Sequence, residues 1–170
     1  MVSHGLVTSG WLLRTAKVAP LLLCMGVGAA GAADGVNTGY FGNVAIKGYD
    51  PVSYFTDGRP TKGSPAFSYA WLGATWYFSS SRNRDAFASE PIRFAPQYGG
   101  FCALGTANEE ASANIDPEAW RIVDGKLYLF AGKEGLEEDF DARADDVIAK
   151  ADVNWPEIQQ KEFRARENAN

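Results

Sequence analysis

Residues 66–80 read AFSYAWLGATWYFSS, and their spacing decides the fold class. Phe67, Tyr69 and Trp71 alternate with smaller residues, Trp76 and Phe78 alternate again, and Leu72–Gly73 lies between the two runs. Alternation puts one set of rings on one face of an extended strand, so two such runs about a glycine-containing break predict an antiparallel hairpin. Just beyond, Ser80 or Ser81 can cap a helix that runs to about Ser89, turns Phe87 inward and stops at Pro91. A second hairpin is expected in WRIVDGKLYLF, residues 120–130, where Asp124–Gly125 is a favoured two-residue turn. From Gly135 onward Leu136, Phe140, Ala144, Val147 and Ile148 recur at helical spacing beside the acidic run Glu134–Asp146, which reads as a solvated face. A last helical segment is expected from near Asn154, docked by Trp155, with residues 157–170 as a tail. Upstream, Asp50 is a helix cap and Pro51 the first helical residue of a short turn over 51–55. Residues 56–65, TDGRPTKGSP, form a loop, and the polar, glycine-rich residues 34–43 form a flexible lead-in. No repeat interrupts this order. The class is α+β: a small antiparallel sheet built from two hairpins, covered by helices, with C-terminal helices. The four tryptophans beyond residue 33 are assigned to the core.

The first 33 residues carry the grammar of an export signal. Arg14 and Lys17 lead into the apolar run Val18–Ala30, and the small residues of AAGAADG fit cleavage after Ala32 or Ala33. The apolar run is shorter than the roughly 18–20 residues that span a bilayer, and Leu23 before Cys24 does not suit lipidation. A periplasmic or secreted protein is therefore expected, with one domain of ordinary size. The chain has 16 basic and 21 acidic residues; loss of Arg14 and Lys17 leaves 14 against 21, a net charge of −7. Such a balance argues against nucleic acid, and against a membrane surface after cleavage. The same cut removes His4, Met1, Met25 and Cys24, leaving no histidine, no methionine and the single thiol of Cys102.

Five stretches, GYDPVSYF (48–55), GATWYFSS (73–80), NRDAF (83–87), APQYGG (95–100) and IAKADVNWP (148–156), resemble the YHS-domain family. The likeness extends over residues 44–156 and is to its exported bacterial members. It implies a compact α+β fold and, for the metal-binding members, soft metals such as copper. Those members place cysteines at positions that correspond here to Ser53, Ser79 and Asn83. A hydroxyl or amide oxygen is a poor ligand for Cu(I) or structural zinc. Composition alone reaches the same conclusion, since one cysteine without histidine or methionine cannot supply two soft ligands within a monomer. Copper is left with a site shared by Cys102 of two chains, or a metal with hard-oxygen ligation by acidic side chains.

Three readings of function remain open. In the first, the protein is an exported YHS-domain binding or accessory module, not an enzyme. Ser53, Tyr54, Ser79, Asn83 and Tyr98 then form a small polar pocket near Cys102 in place of the lost metal site. In the second, Cys102 is a redox thiol, activated at the start of a helix that opens at CALGTANEEA. Some exported proteins of this type carry selenocysteine, which adds to that reading. A Cys–His enzyme is excluded once residues 1–33 are removed, because no histidine is left to act as base. In the third, the protein is a copper carrier whose site forms only in a dimer. An inert, packed Cys102 satisfies the first reading as well.

Overall fold

The computed structural model describes Met1, residues 35–39 and residues 42–167. The reading of residues 1–33 as an export signal thus lies, Met1 apart, outside the described residues. In chain order the elements are α1 (Ser53–Thr56), β1 (Ser64–Trp71), β2 (Ala74–Phe78), α2 (Ser81–Ser89), α3 (Pro91–Phe94), α4 (Ala103–Ala107), β3 (Asp116–Val123), β4 (Lys126–Phe130), α5 (Lys133–Gly135) and α6 (Ala144–Glu167). A single turn of π-helix, Leu136–Phe140, joins α5 to the approach of α6. The architecture is α+β. The strands pair as β1–β2 and β3–β4, two separate antiparallel hairpins that do not join into a four-stranded sheet.

Both hairpins close through the turns their sequences demand. Leu72 and Gly73 have φ of 48° and 68°, and Asp124 and Gly125 have 50° and 73°, so each pair of central residues is left-handed. That geometry matches the twist of the flanking strands. Trp76 and Phe78 on β2 are fully buried, and Phe87 of α2 sits among Tyr69, Trp71, Trp76 and Phe78 at ring-centre distances of 5.1 to 6.3 Å. One phenylalanine therefore fastens α2 to both strands of the first hairpin. Ser80 caps α2 as expected, its Oγ accepting from the Asn83 N–H. Pro91, rather than only ending α2, opens the short helix α3.

Leu127, Leu129 and Phe130 of the second hairpin are fully buried, beside Leu136 and Phe140. The acidic residues of 134–146 face outward, with Asp141 paired to Arg121 and Asp139 to Arg143. Several boundaries differ from the sequence expectation: α1 starts at Ser53 rather than Pro51, β1 starts at Ser64 within the expected loop, and β3 starts at Asp116 rather than Trp120. Residues 35–39 are no flexible lead-in, for Gly35, Val36, Asn37 and Thr38 are all buried. Asn37 ties them down: its side-chain N–H groups donate to the Gly100 and Ala113 carbonyls, and its backbone N–H donates to Gly99. Nor does a new segment or a separate tail begin at residues 154–157. Instead α6 continues as one helix of 24 residues with Pro156 inside it. An interior proline removes a backbone hydrogen bond and costs a helix about 3 kcal/mol, so packing must hold this one. Asn154 clasps the end of α4 by donating to the Thr106 and Ala107 carbonyls, Trp155 packs on Tyr98 and Phe101, and Ile158 is buried.

Candidate functional site

Ser53, Ser79 and Asn83, far apart in sequence, converge on one residue, Asp50, which is fully buried. Its Oδ1 accepts from the Val52 N–H at 2.9 Å. Its Oδ2 accepts from the Ser79 N–H at 2.9 Å, the Ser79 hydroxyl at 2.7 Å and the Asn83 amide at 2.7 Å. Asn83 also donates to Ser79 Oγ, and the Ser53 hydroxyl donates to the Asp50 carbonyl. A buried charge is tolerated when hydrogen bonds replace its hydration, and four donors on one carboxylate do this without a cation. Asp50 is not the cap expected of it, because α1 begins at Ser53 with Val52 at its N-cap and no side-chain capping bond. Its bond to the Val52 N–H holds the turn ahead of α1, and its other bonds gather the end of β2 and α2 onto that turn.

Tyr54 and Tyr98 do not join this knot. The Tyr54 hydroxyl donates to the Pro117 carbonyl, and its ring meets Trp120 edge-on. Burial pushes its phenol well above the usual range, with Tyr49, Glu118, Asp116 and Asp50 adding to the effect. Tyr98 donates to the Asp152 carboxylate at 2.9 Å, and its hydroxyl lies 3.4 Å from the Ile148 carbonyl. Burial, then the bond to Asp152, keeps its phenol protonated far into the alkaline range. Cys102 lies apart from the knot as well. It precedes α4, its side chain makes no capping bond, and it is only 4% exposed. Its N–H donates to Ser112, its carbonyl accepts from the Thr106 N–H and hydroxyl, and it bridges to Leu129. The thiol side chain is packed among core residues. Among the described residues no group of three or more His, Cys, Asp or Glu is placed to hold a metal ion.

Tyr98 instead lines a cleft of about 200 Å³ between the tip of the first hairpin and α6. Its aromatic walls are Trp71, Trp76, Tyr98 and Trp155, with ring centres 5.9 Å apart for Trp71–Trp76 and for Tyr98–Trp155. Leu72, 40% exposed, and Ile92, 83% exposed, are large apolar side chains that also border it. Gln97 and Gln159 supply polar side chains, the Tyr98 hydroxyl and the Trp76 N–H being engaged by Asp152 and the Trp71 carbonyl, and no described lining residue is charged.

The cleft owes its shape to backbone that only special residues allow. Tyr98, Gly99 and Gly100 have φ of 54°, 60° and 84°, a left-handed run that swings the Tyr98 ring toward α6. A non-glycine residue held there stores strain, which packing must offset. Gly99 has no alternative: a Cβ built on it would collide with the Gly35 carbonyl oxygen. Residues 35–36 therefore form one wall of the cleft because residue 99 has no side chain.

Sequence reasoning found Tyr98 but assigned Trp71, Trp76 and Trp155 to the core and passed over Gln97 and Gln159. Trp76, 1% exposed, is a core residue that also floors the cleft. The one available signal was the pair of large apolar residues in unprotected places, Leu72 in a hairpin turn and Ile92 beside Pro91. Compared with family models, with curated proteins and with solved structures, the chain matches none.

Proposed function

We propose that the protein is an exported, non-enzymatic binding or accessory module of the YHS type, whose ligand seat is the aromatic cleft. The observation that carries this reading is the convergence of Trp71, Trp76, Tyr98 and Trp155 on one open space bordered by exposed Leu72 and Ile92. Concave, mostly apolar sites with a few polar groups are the usual form of small-molecule seats. The polar residues at the positions matching the family's cysteines are engaged with Asp50 and with each other. Their arrangement supports a structural knot where metal-binding relatives hold a metal.

Native mass spectrometry of the purified protein tests the reading against both alternatives. A non-covalent small-molecule adduct that is kept by the wild type and lost by Trp155→Leu is the expected result. A copper ion shared by two chains, or a Cys102-linked dimer formed under mild oxidation, would overturn it in favour of the carrier or the redox protein.

A further inference from the structure

We infer that the cleft takes an alkylated ammonium cation, such as a trimethylammonium group; the inference rests on the cleft being the ligand seat. Three kinds of observation point to this charge and shape. The first is the wall: the half-buried indoles of Trp71 and Trp155, backed by the indole of Trp76 and the phenol of Tyr98, 1% and 5% exposed, without a single described basic side chain among the lining residues. Indole and phenol faces carry negative potential, and several of them around one space form the cage by which proteins hold quaternary ammonium groups.

The second is the electrostatic setting. The chain carries 21 acidic against 16 basic residues. Asp152, itself exposed, accepts the Tyr98 hydroxyl at 2.9 Å and so sets a carboxylate next to one wall of the cleft. An anion would meet a negative field there with no lysine or arginine among the described lining residues to offset it. A strongly hydrated primary ammonium would give up its water without a described carboxylate in the lining to replace it. An alkylated cation presents methyl groups to the rings and carries little hydration to lose.

The third is size. Apolar cavities of about 150 Å³ take a benzene ring, so a cleft of about 200 Å³ suits a compact, roughly spherical head group. Leu72 and Ile92 at its border offer apolar contact to whatever the head group is attached to, and Gln97 and Gln159 offer it amide hydrogen bonds.

The test compares choline with 3,3-dimethyl-1-butanol, which has the same shape with carbon in place of nitrogen. Binding is followed by calorimetry and by tryptophan emission. Choline is expected to bind at least about tenfold tighter than the neutral isostere, a margin of about 1.4 kcal/mol that two or three cation–aromatic contacts can supply. Ile92→Lys, at a position 83% exposed, leaves the fold intact and sets a like charge at the cleft. It should weaken choline at least about threefold more than it weakens the isostere, which loses the same apolar contact but meets no like charge, in the manner of screened surface charges. Trp155→Leu should weaken choline about tenfold or more, and Trp155→Phe should restore part of that. Equal affinity for the two probes would overturn the inference and leave a cleft for neutral apolar ligands. No binding of either probe would overturn the inference while native mass spectrometry still judged the cleft. Choline binding indifferent to both Ile92→Lys and Trp155→Leu would place the cation elsewhere and overturn it too.

Discussion

Replacing Asp50 by asparagine keeps the shape of the side chain and changes only what its two terminal atoms can accept. In the native protein Oδ1 takes one donor and Oδ2 takes three. The better orientation of the new amide would keep its oxygen at the Oδ2 position and turn its NH2 toward the Val52 N–H. Two donors then face each other in a fully buried place, at a cost of about 1–3 kcal/mol for the unpaired group. The three bonds to the other oxygen lose their charge assistance, which is roughly a halving of their strength and removes about 2 kcal/mol together. The opposite orientation sets the NH2 against three donors and is worse. The expected loss is therefore about 3–5 kcal/mol out of a total stability of roughly 5–15 kcal/mol. In urea, with a slope of about 2 kcal/mol per molar, the unfolding midpoint should fall by about 2 M at constant slope. Ser79→Ala removes one of the four donors and should cost about 1–2 kcal/mol; Ser53→Ala, which loses a bond to a neutral carbonyl, about 1 kcal/mol. If Asp50→Asn changed stability by less than about 1 kcal/mol, or cost less than Ser79→Ala, the carboxylate would not be the centre of the knot and the reasoning would fail.

Gly99→Ala should destabilise the protein by more than about 2 kcal/mol, since φ is +60° and backbone, not a movable side chain, occupies the space of the new Cβ. Limited proteolysis should then cut at residues 35–39, and a variant as resistant as the wild type would show that the segment is not held there. Tyr54 is more basic in the folded protein than in the unfolded chain, so the unfolded chain releases its phenol proton first as pH rises. Its contribution is complete below about pH 10 and is lost above it, at up to about 1.4 kcal/mol per pH unit. Urea unfolding at pH 9 and pH 11 should therefore show a steeper alkaline loss in the wild type than in Tyr54→Phe, and equal slopes would refute the assignment. Cys102, buried beside Leu129, should react with an aromatic disulfide reagent only as fast as the protein opens, accelerating in mild urea. Reaction at the rate of a free thiol in native buffer would set the redox reading ahead of the binding module.

What the sequence disclosed followed the range of each interaction. The hairpins were legible because their instructions are local: a period of two in the aromatics, and Leu72–Gly73 or Asp124–Gly125 to turn the chain. Ser80 capping α2 is local as well, acting over three residues. Asp50 reads as a cap because it stands before Pro51, a local cue, whereas its bonds to Ser79 and Asn83 span 29 and 33 residues. The convergence of Ser53, Ser79 and Asn83 was reached through family resemblance, for no spacing in the chain expresses it. Residues 34–43 have the composition of a flexible segment, yet Asn37 spends its amide on carbonyls 63 and 76 residues away. Composition reports how weakly a segment holds itself; it says nothing of what a distant backbone will hold. Pro156 misled for the same reason, since its local effect breaks a helix while Asn154, Trp155 and Ile158 are fixed by remote partners.

The cleft lies at the far end of this scale. Trp71 comes from a strand end, Tyr98 from a left-handed turn, Trp155 from a helix and Gly35 from the segment beside them, with no motif linking the four. In a small domain, tryptophans are first of all core, and for Trp76 that reading is right. Trp71 and Trp155 differ in that each is only half-buried at a place where the neighbouring chain withdraws. The distinction is made by Gly99: its missing side chain lets residues 35–36 in to form a wall, and the left-handed turn it shares with Tyr98 brings the phenol within reach of Asp152. The aromatic count in the sequence could therefore announce a core but not an opening in it. Perturbing Gly99 tests that wall directly, while the choline comparison asks what the opening holds.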